Sequence, residues 1–566
     1  MGEIEKKKSK IGIIIAIIII ALVLIVGAIG GYYVIKRNYI VSKINQTNLI
    51  INNSNATSSL KNNVYIKNKI KGNPWWLSPK PDIYNFFDNT IIYDEKYNQV
   101  VTTSSTKIAS LPIDSKQIQV NSSNTTIKAG AIILDEVAYV PISELDEVYN
   151  IKTTYVESED LVYIDSLDRE QQTATLKKDS SIKYKPTIIS ATLAKAKQGD
   201  TLTIANRSDY PVPNGWTRVR TENGTLGYIQ TGKLNEFKTI REKAEEKAKI
   251  EGPISLAWDY YSEYVSAPTR TGKIIGVNVV SPSFFYMTKY STTNVYENVG
   301  NEGIAYVNWA HGNGYQVWPM LTNSNMSETS KMLSDYKSRE NVINQIIKYI
   351  KQYNLDGINI DFEGMYETDK DNFSRLLIEI RPRLNEIGAV LSVDVTAPDG
   401  APEWSLCYDR YTIGKVADYV MFMAYDQYGV SATKAGTTAG HNWVEANVKK
   451  FLGQEEVKAE KIILGIPFYT RVWKEINGNV ISSVVNIGNV NNLIPSNATK
   501  TWDEDLQQYY VEYKKGGVTY KIWVEDEKSI EAKLDLVSKY NLGGAAYWEY
   551  DRATNSIWNL IESKIK

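Results

Sequence analysis

Hydrophobic positions along the chain fall into three textures. Residues 11–35, IGIIIAIIIIALVLIVGAIGGYYVI, are an unbroken uncharged run. Between residues 73 and 237, short β-prone runs alternate with polar turns, as in TIIYDEKYNQVV, AIILDEVAYVPISEL and TLGYIQ. From residue 272 onward, buried-type runs rich in β-branched and aromatic residues alternate with amphipathic stretches. The strand candidates are KIIGVNVVSP, GIAYVNWA, QVWPML, GINIDFE, VLSVDVTAP, YVMFMAY, IILGIPF and GAAYWEY. Between them lie helical patterns such as RENVINQIIKYIKQYN, where Val342, Ile346, Ile347, Tyr349 and Ile350 share a face. Eight alternating β and α units predict an α/β fold, a (β/α)8 TIM barrel over 272–566. A doubly wound open sheet is the rival, but no Gly-rich phosphate turn follows its first strand. Between the seventh and eighth strands, residues 475–522 predict a small α+β insertion forming a cleft wall.

The uncharged run is long enough to span a hydrocarbon core of about 30 Å. Lys6, Lys7, Lys8 and Lys10 precede it and Lys36 and Arg37 follow. That basic excess predicts a single-pass anchor with a cytoplasmic tail (1–10) and everything after residue 36 outside the cell. A cleaved signal peptide would have a shorter apolar region and a small-residue site after it. Residues 36–72, rich in Asn, Ser, Thr and Lys, read as a stalk.

Residues 73–170 predict a small domain of strands with one short helix near 142–149. AIILDEVAYVPISEL, followed by a strand ending in LVYIDSL, resembles the copper amine oxidase N-terminal-like domain. That name implies no copper, because the stretch holds no His, Cys or Met. Residues 173–237 read as five or so strands. GWTRVRTENGTLGYIQ resembles the end of a bacterial SH3-like domain, with Asn223-Gly224 at a tight hairpin. Such domains often bind cell-wall peptides; a plain spacer is the alternative. The charged run EFKTIREKAEEKAKIE predicts a connector helix, within a linker spanning 238–271.

Composition narrows the chemistry. The net charge of −1 over 566 residues gives no case for nucleic-acid binding. Cys407 stands alone, so no intrachain disulfide forms. With only His311 and His441, a histidine-rich metal site and a Ser-His-Asp triad are both disfavoured. Neither metal nor cofactor is expected.

A barrel places chemistry at the C-terminal ends of its strands. The polar and aromatic residues expected there are Asp361 and Glu363, Asp394, Tyr425 and Asp426, Tyr469 and Arg471, and Trp548 and Glu549. In DGINIDFEG (356–364), alternation puts Asn359, Asp361 and Glu363 on one face, with Glu363 nearest solvent. Asp361 and partial burial should both raise the Glu363 pKa, giving an acid suited to protonating a leaving oxygen. Asp361 lies on the same side as Glu363 and cannot attack from the opposite sugar face. Either a distant base or a nucleophile within the substrate must complete the reaction.

The pattern D-G-x-x-x-D-x-E at the end of the fourth strand resembles glycoside hydrolase family 18. YVMFMAYDQ and GGAAYWEYD resemble that family's sixth- and eighth-strand motifs. NVVSPSFF, SVDVTAP and ILGIPFYTRVW are similar to its cell-wall and spore-cortex subgroup. The resemblance implies that Glu363 is general acid and then base. It implies that Asp361 orients the 2-acetamido group and Tyr425 bonds the acetamido oxygen. Asp426 would hold the same sugar over a Trp548 floor, through an oxazolinium intermediate with retention. Asn359, Tyr469 and Arg471 complete the expected substrate-binding set. Many family members carry aspartate at the position of Asn359, which implies altered proton sharing below Asp361. The acetamido requirement leaves peptidoglycan or chitin as polymer. The membrane helix and SH3-like module favour peptidoglycan at the cell surface; a non-catalytic wall-binding scaffold is the alternative of another class.

Overall fold

The computed structural model describes residues 2–38, 47–66, 74–78, 82–206, 211–241, 250–287, 293–323 and 325–565. It divides into two units, residues 1–102 with 109–246, and residues 103–108 with 247–566.

In the first unit, a continuous helix runs over Gly2–Asn38, and Gly12–Ile35 is long and apolar enough to cross a membrane. Past residue 46 the expected stalk is partly structured. Asn48–Ile51 pairs in parallel with the strand Leu161–Ser166, burying Leu49 and Ile51 in the core of the small domain. The polar composition of 36–72 concealed this short apolar run. A second sheet covers Ile92–Thr126, and short helical turns occupy Ile142–Glu144 and Asp146–Tyr149. A seven-stranded antiparallel sheet follows over Gln171–Arg241. Its strands Trp216–Arg220 and Leu226–Gln230 form the expected hairpin. The connection is five residues rather than two, closed by Thr221 and Thr225, with Gly224 at φ +79°. Part of the expected connector helix is instead the last strand of this sheet, Leu234–Arg241. The rest, 242–249, lies outside the described residues.

The second unit closes a ring of eight parallel strands, numbered here along the chain. They are β1 (Ile254–Asp259), β2 (Val279–Pro282), β3 (Gln316–Val317, resuming at Met320–Thr322), β4 (Gly357–Asp361), β5 (Val390–Val395), β6 (Tyr419–Met423), β7 (Ile462–Pro467) and β8 (Gly544–Trp548). Each pairs with the next, and β8 pairs back onto β1. Pro319, which has no N–H to donate, marks the break in β3. Alternate residues fill the interior: Leu256, Trp258, Val279, Trp318, Met320, Val390, Met421, Ile463 and Ala546. The larger core lies between the strands and the outer helices. Burying each large apolar side chain there contributes about 1.5–3 kcal/mol.

Two sequence expectations are corrected here. GIAYVNWA is not a strand but part of the helix Gly300–Gly312. Its buried residues, Gly303, Tyr306, Val307 and Ala310, are spaced by three and four, the helical repeat. The first strand of the ring is instead ISLAWD, inside the stretch read as linker. It is buried at every position and therefore lacks the alternation that marks a half-exposed strand. The insertion is a five-stranded antiparallel sheet over Tyr469–Val524, with a short helix at Val490–Leu493 and its own small core.

Closure depends on Gly543-Gly544. Gly544 pairs with Ile254 of β1 on one side and Ile463 of β7 on the other. A Cβ on Gly544 would lie 1.9 Å from the Ile254 carbonyl oxygen, and one on Gly543 would lie 2.3 Å from that of Glu460. Gly544→Ala should therefore part the seam and destabilise the barrel by roughly 2–4 kcal/mol, read as a lowered urea midpoint. A midpoint equal to wild type would show that the seam does not need glycine.

Candidate active site

The fourth strand is anchored at its base. Asp356 Oδ2 accepts from the Val317 N–H at 2.8 Å and lies 2.8 Å from His311 Nε2. The first aspartate of D-G-x-x-x-D-x-E is therefore structural. Gly357 follows because a Cβ there would lie 2.8 Å from Val390 and 3.0 Å from Trp318. The strand then carries Asn359 and Asp361 inward, fully buried and 9% exposed, with Glu363 half-buried just beyond.

Glu363 is fixed through its backbone. Its N–H donates to Asn323 Oδ1 at 2.9 Å, and its carbonyl accepts from Asn323 Nδ2 at 2.7 Å. The Tyr408 hydroxyl donates to the neighbouring Phe362 carbonyl at 2.7 Å. Neither Asn323 nor Tyr408 was singled out from sequence. They come from loops after β3 and β5, and only folding brings them to the end of β4.

The electrostatics run in one direction. Burial pushes Asp361 well above the usual carboxylate range, and Glu363, Asp394 and a hydrogen bond shared with Glu363 push it further. One of its oxygens, Oδ1, is buried with no hydrogen-bond partner among the described residues. Burial also raises Glu363; the hydrogen bond from Asp361 works against this and Asp426 works with it. Asp394 is raised by burial, with the Asn359 amide opposing. Burial thus favours the protonated form across the cluster, with Glu363 at its rim as the candidate proton donor.

Tyr425 and Trp548 stack beside this cluster, ring centres 6.5 Å apart and planes at 27°. Trp258 and Tyr260 flank the same indole at 5.9 and 5.8 Å. Burial keeps the Tyr425 phenol protonated, so it can donate to a carbonyl oxygen. Asp426, at φ +55°, accepts from the Tyr469 hydroxyl at 2.6 Å and from Arg471 Nη2 at 3.0 Å.

Three residues expected at the sugar are engaged with other side chains. Asn359 has no exposed surface; it accepts from Trp258 Nε1 (2.9 Å) and donates to Asp394 Oδ1 (2.7 Å). Tyr469 and Arg471 are 4% and 7% exposed and hydrogen-bond Asp426. They open the first strand of the insertion rather than closing β7.

The pattern described as glycosyl hydrolases family 18 matches residues 257–553, from the end of β1 to just past β8. The chain belongs to glycosyl hydrolases family 18. As a family 18 protein it is a glycosidase, and its catalytic domain is of the TIM-barrel type. It is similar to the uncharacterized glycosylase YvbX of Bacillus subtilis (strain 168), 26% identical over 315 residues, 52% of this chain and 90% of that one. The cortical fragment-lytic enzyme of the same organism is 23% identical over 240 residues, 41% of this chain and 55% of that one. Chitinase A1 of Niallia circulans is 25% identical over 279 residues, 40% of this chain and 39% of that one. The chain thus spans most of the first relative and about half or less of the other two. Residues 77–164 match the copper amine oxidase N-terminal domain. Without His, Cys or Met, that stretch lacks the donors copper would need.

Because Asp361 is raised on folding, the native state binds more protons than the unfolded chain above the ordinary carboxylate range. Stability must fall as pH rises through that window. Asp361→Asn should therefore unfold a few degrees higher than wild type at pH about 8, with the gap closing toward pH about 5. Scanning calorimetry across that range checks it. A variant less stable than wild type at the upper pH would contradict the burial argument.

Proposed function

We propose that this glycosidase cleaves β-1,4 bonds following N-acetylated sugars in peptidoglycan, using the substrate's own acetamido oxygen as nucleophile. The observation that carries this reading is the arrangement of Asp361 and Glu363. Asp361 closes β4, Glu363 follows two residues on, and the two share a hydrogen bond, so Asp361 is held beside Glu363 rather than on the opposite sugar face. Glu363 protonates the glycosidic oxygen as that bond breaks. The acetamido oxygen attacks C1, Asp361 accepts the amide N–H, and the Tyr425 hydroxyl holds the amide oxygen. Trp548 supports the ring at the cut, and Asp426, fixed by Tyr469 and Arg471, binds its hydroxyls. Water activated by Glu363 then opens the oxazolinium ion, retaining configuration.

The helix at Gly12–Ile35 would anchor the enzyme outside the cell, N-terminus inward. The seven-stranded sheet, as an SH3-like module, would hold it against the wall. This layout favours peptidoglycan over chitin. No cofactor or metal enters the reaction.

Incubating the full chain with purified peptidoglycan and with chitin oligomers, and identifying new reducing ends by mass spectrometry, separates the two polymers. Glu363→Gln should lower release by at least about 10²-fold. Proton NMR of fresh product should show the β anomer first; an initial α anomer would exclude the retaining route. Wall binding without cutting would make the protein a scaffold.

A further inference from the structure

Asp394 on β5, within SVDVTAP, is a buried carboxyl to which the reaction above gives no part. Ile360 of β4 pairs with Val393 of β5, so the next residues along, Asp361 and Asp394, are neighbours on the same interior face. Asp394 is 2% exposed. Its Oδ1 is gripped at 2.7 Å by Asn359 Nδ2. The amide is oriented from the other side, because Asn359 Oδ1 accepts from Trp258 Nε1 at 2.9 Å and from the Ser281 hydroxyl at 3.3 Å. Two donors fix the amide oxygen, which leaves the amide nitrogen aimed at Asp394. An aspartate at 359 would instead set two carboxyls against each other at that distance.

We propose that Asp394 is a positioning residue, an anionic carboxylate fixed by the Asn359 amide that holds a proton on the Asp361–Glu363 pair until substrate arrives. Asn359 and Asp394 together move the charge of this cluster from β4 to β5. The Oδ1 of Asp361 fits that role: Asp361 is bonded toward Glu363, and among the described residues its Oδ1 has no hydrogen-bond partner. The groups facing Asp394 are Asp361 and Glu363 from β4, Asn359 below them, Trp258 from β1, and Tyr425 beyond β6, whose phenol also responds to its charge. Asp394 touches no substrate and acts through Asp361. This inference rests on the substrate-assisted reading, in which Glu363 must begin protonated and Asp361 must be free to give up its proton.

The test uses the full chain in detergent, with the N-acetylglucosamine tetramer as substrate. It pairs pH–rate profiles with infrared difference titration of the protonated-carboxyl band, which needs no turnover. Removing the charge by Asp394→Asn should lower the pH at which the Asp361–Glu363 proton is lost. The alkaline limb of kcat and the infrared titration should both move down by about one pH unit, with KM within about twofold. The exchange Asn359→Asp with Asp394→Asn keeps one carboxylate and one amide in contact, and should return both readouts to wild type. An infrared titration unmoved by Asp394→Asn, or one the exchange does not restore, overturns the proposal. A wild type that cuts nothing defeats the functional reading alone, since the infrared shift still decides the role of Asp394.

Discussion

Moving a carboxylate out of water is costly unless a cation or several donors replace the lost hydration. This barrel handles that cost in two opposite ways. On its outer layer, Glu379 is buried between Arg339 and Arg375, each at 2.8 Å. Burial works to raise Glu379, but the guanidiniums, Arg375 foremost, overcome it and hold the carboxyl below its usual range. Inside the mouth, Asp361, Glu363 and Asp394 are buried against one another, and every influence on Asp361 raises it. Charge there can be relieved only by holding protons or by meeting a substrate. The outer carboxylate is a fastening; the inner cluster is built to hold a proton.

The surrounding architecture serves that inner cluster. Asp356 and Gly357 set the base of β4, Asn323 and Tyr408 fix the backbone at its tip, and Asn359 braces Asp394 from β5. The Gly543-Gly544 seam closes the ring on β1, which brings Trp258 under Asn359 and beside Trp548. Burying Asp361 this way costs stability, a trade common at sites built for chemistry rather than for folding.

The barrel and the candidate Asp361–Glu363 pair were legible in the sequence because both rest on local pattern. Alternation along GINIDFE predicts Asp361 and Glu363 on one face; the structure ends the strand at Asp361 and sets Glu363 just beyond it, hydrogen-bonded to Asp361. Strand identity failed where the pattern was ambiguous. GIAYVNWA is mostly apolar, yet only its helical spacing matters, and ISLAWD is too uniformly buried to alternate. The supporting residues were illegible for a different reason. Asn323, Tyr408 and Trp258 lie on other elements, and nothing in their local sequence marks them as neighbours of β4. Asn359 was visible as an oddity of the motif, but its partner Asp394 is 35 positions further on and meets it only through strand pairing.

The central claim is that the missing nucleophile belongs to the substrate. The most direct measurement compares two matched oligomers that differ only at the sugar preceding the cut, one carrying an N-acetyl group and the other a free amine. The account predicts that kcat/KM falls at least about 10³-fold without the acetyl group, because the attacking oxygen is gone. Comparable values for the two oligomers would contradict it and would require a protein nucleophile.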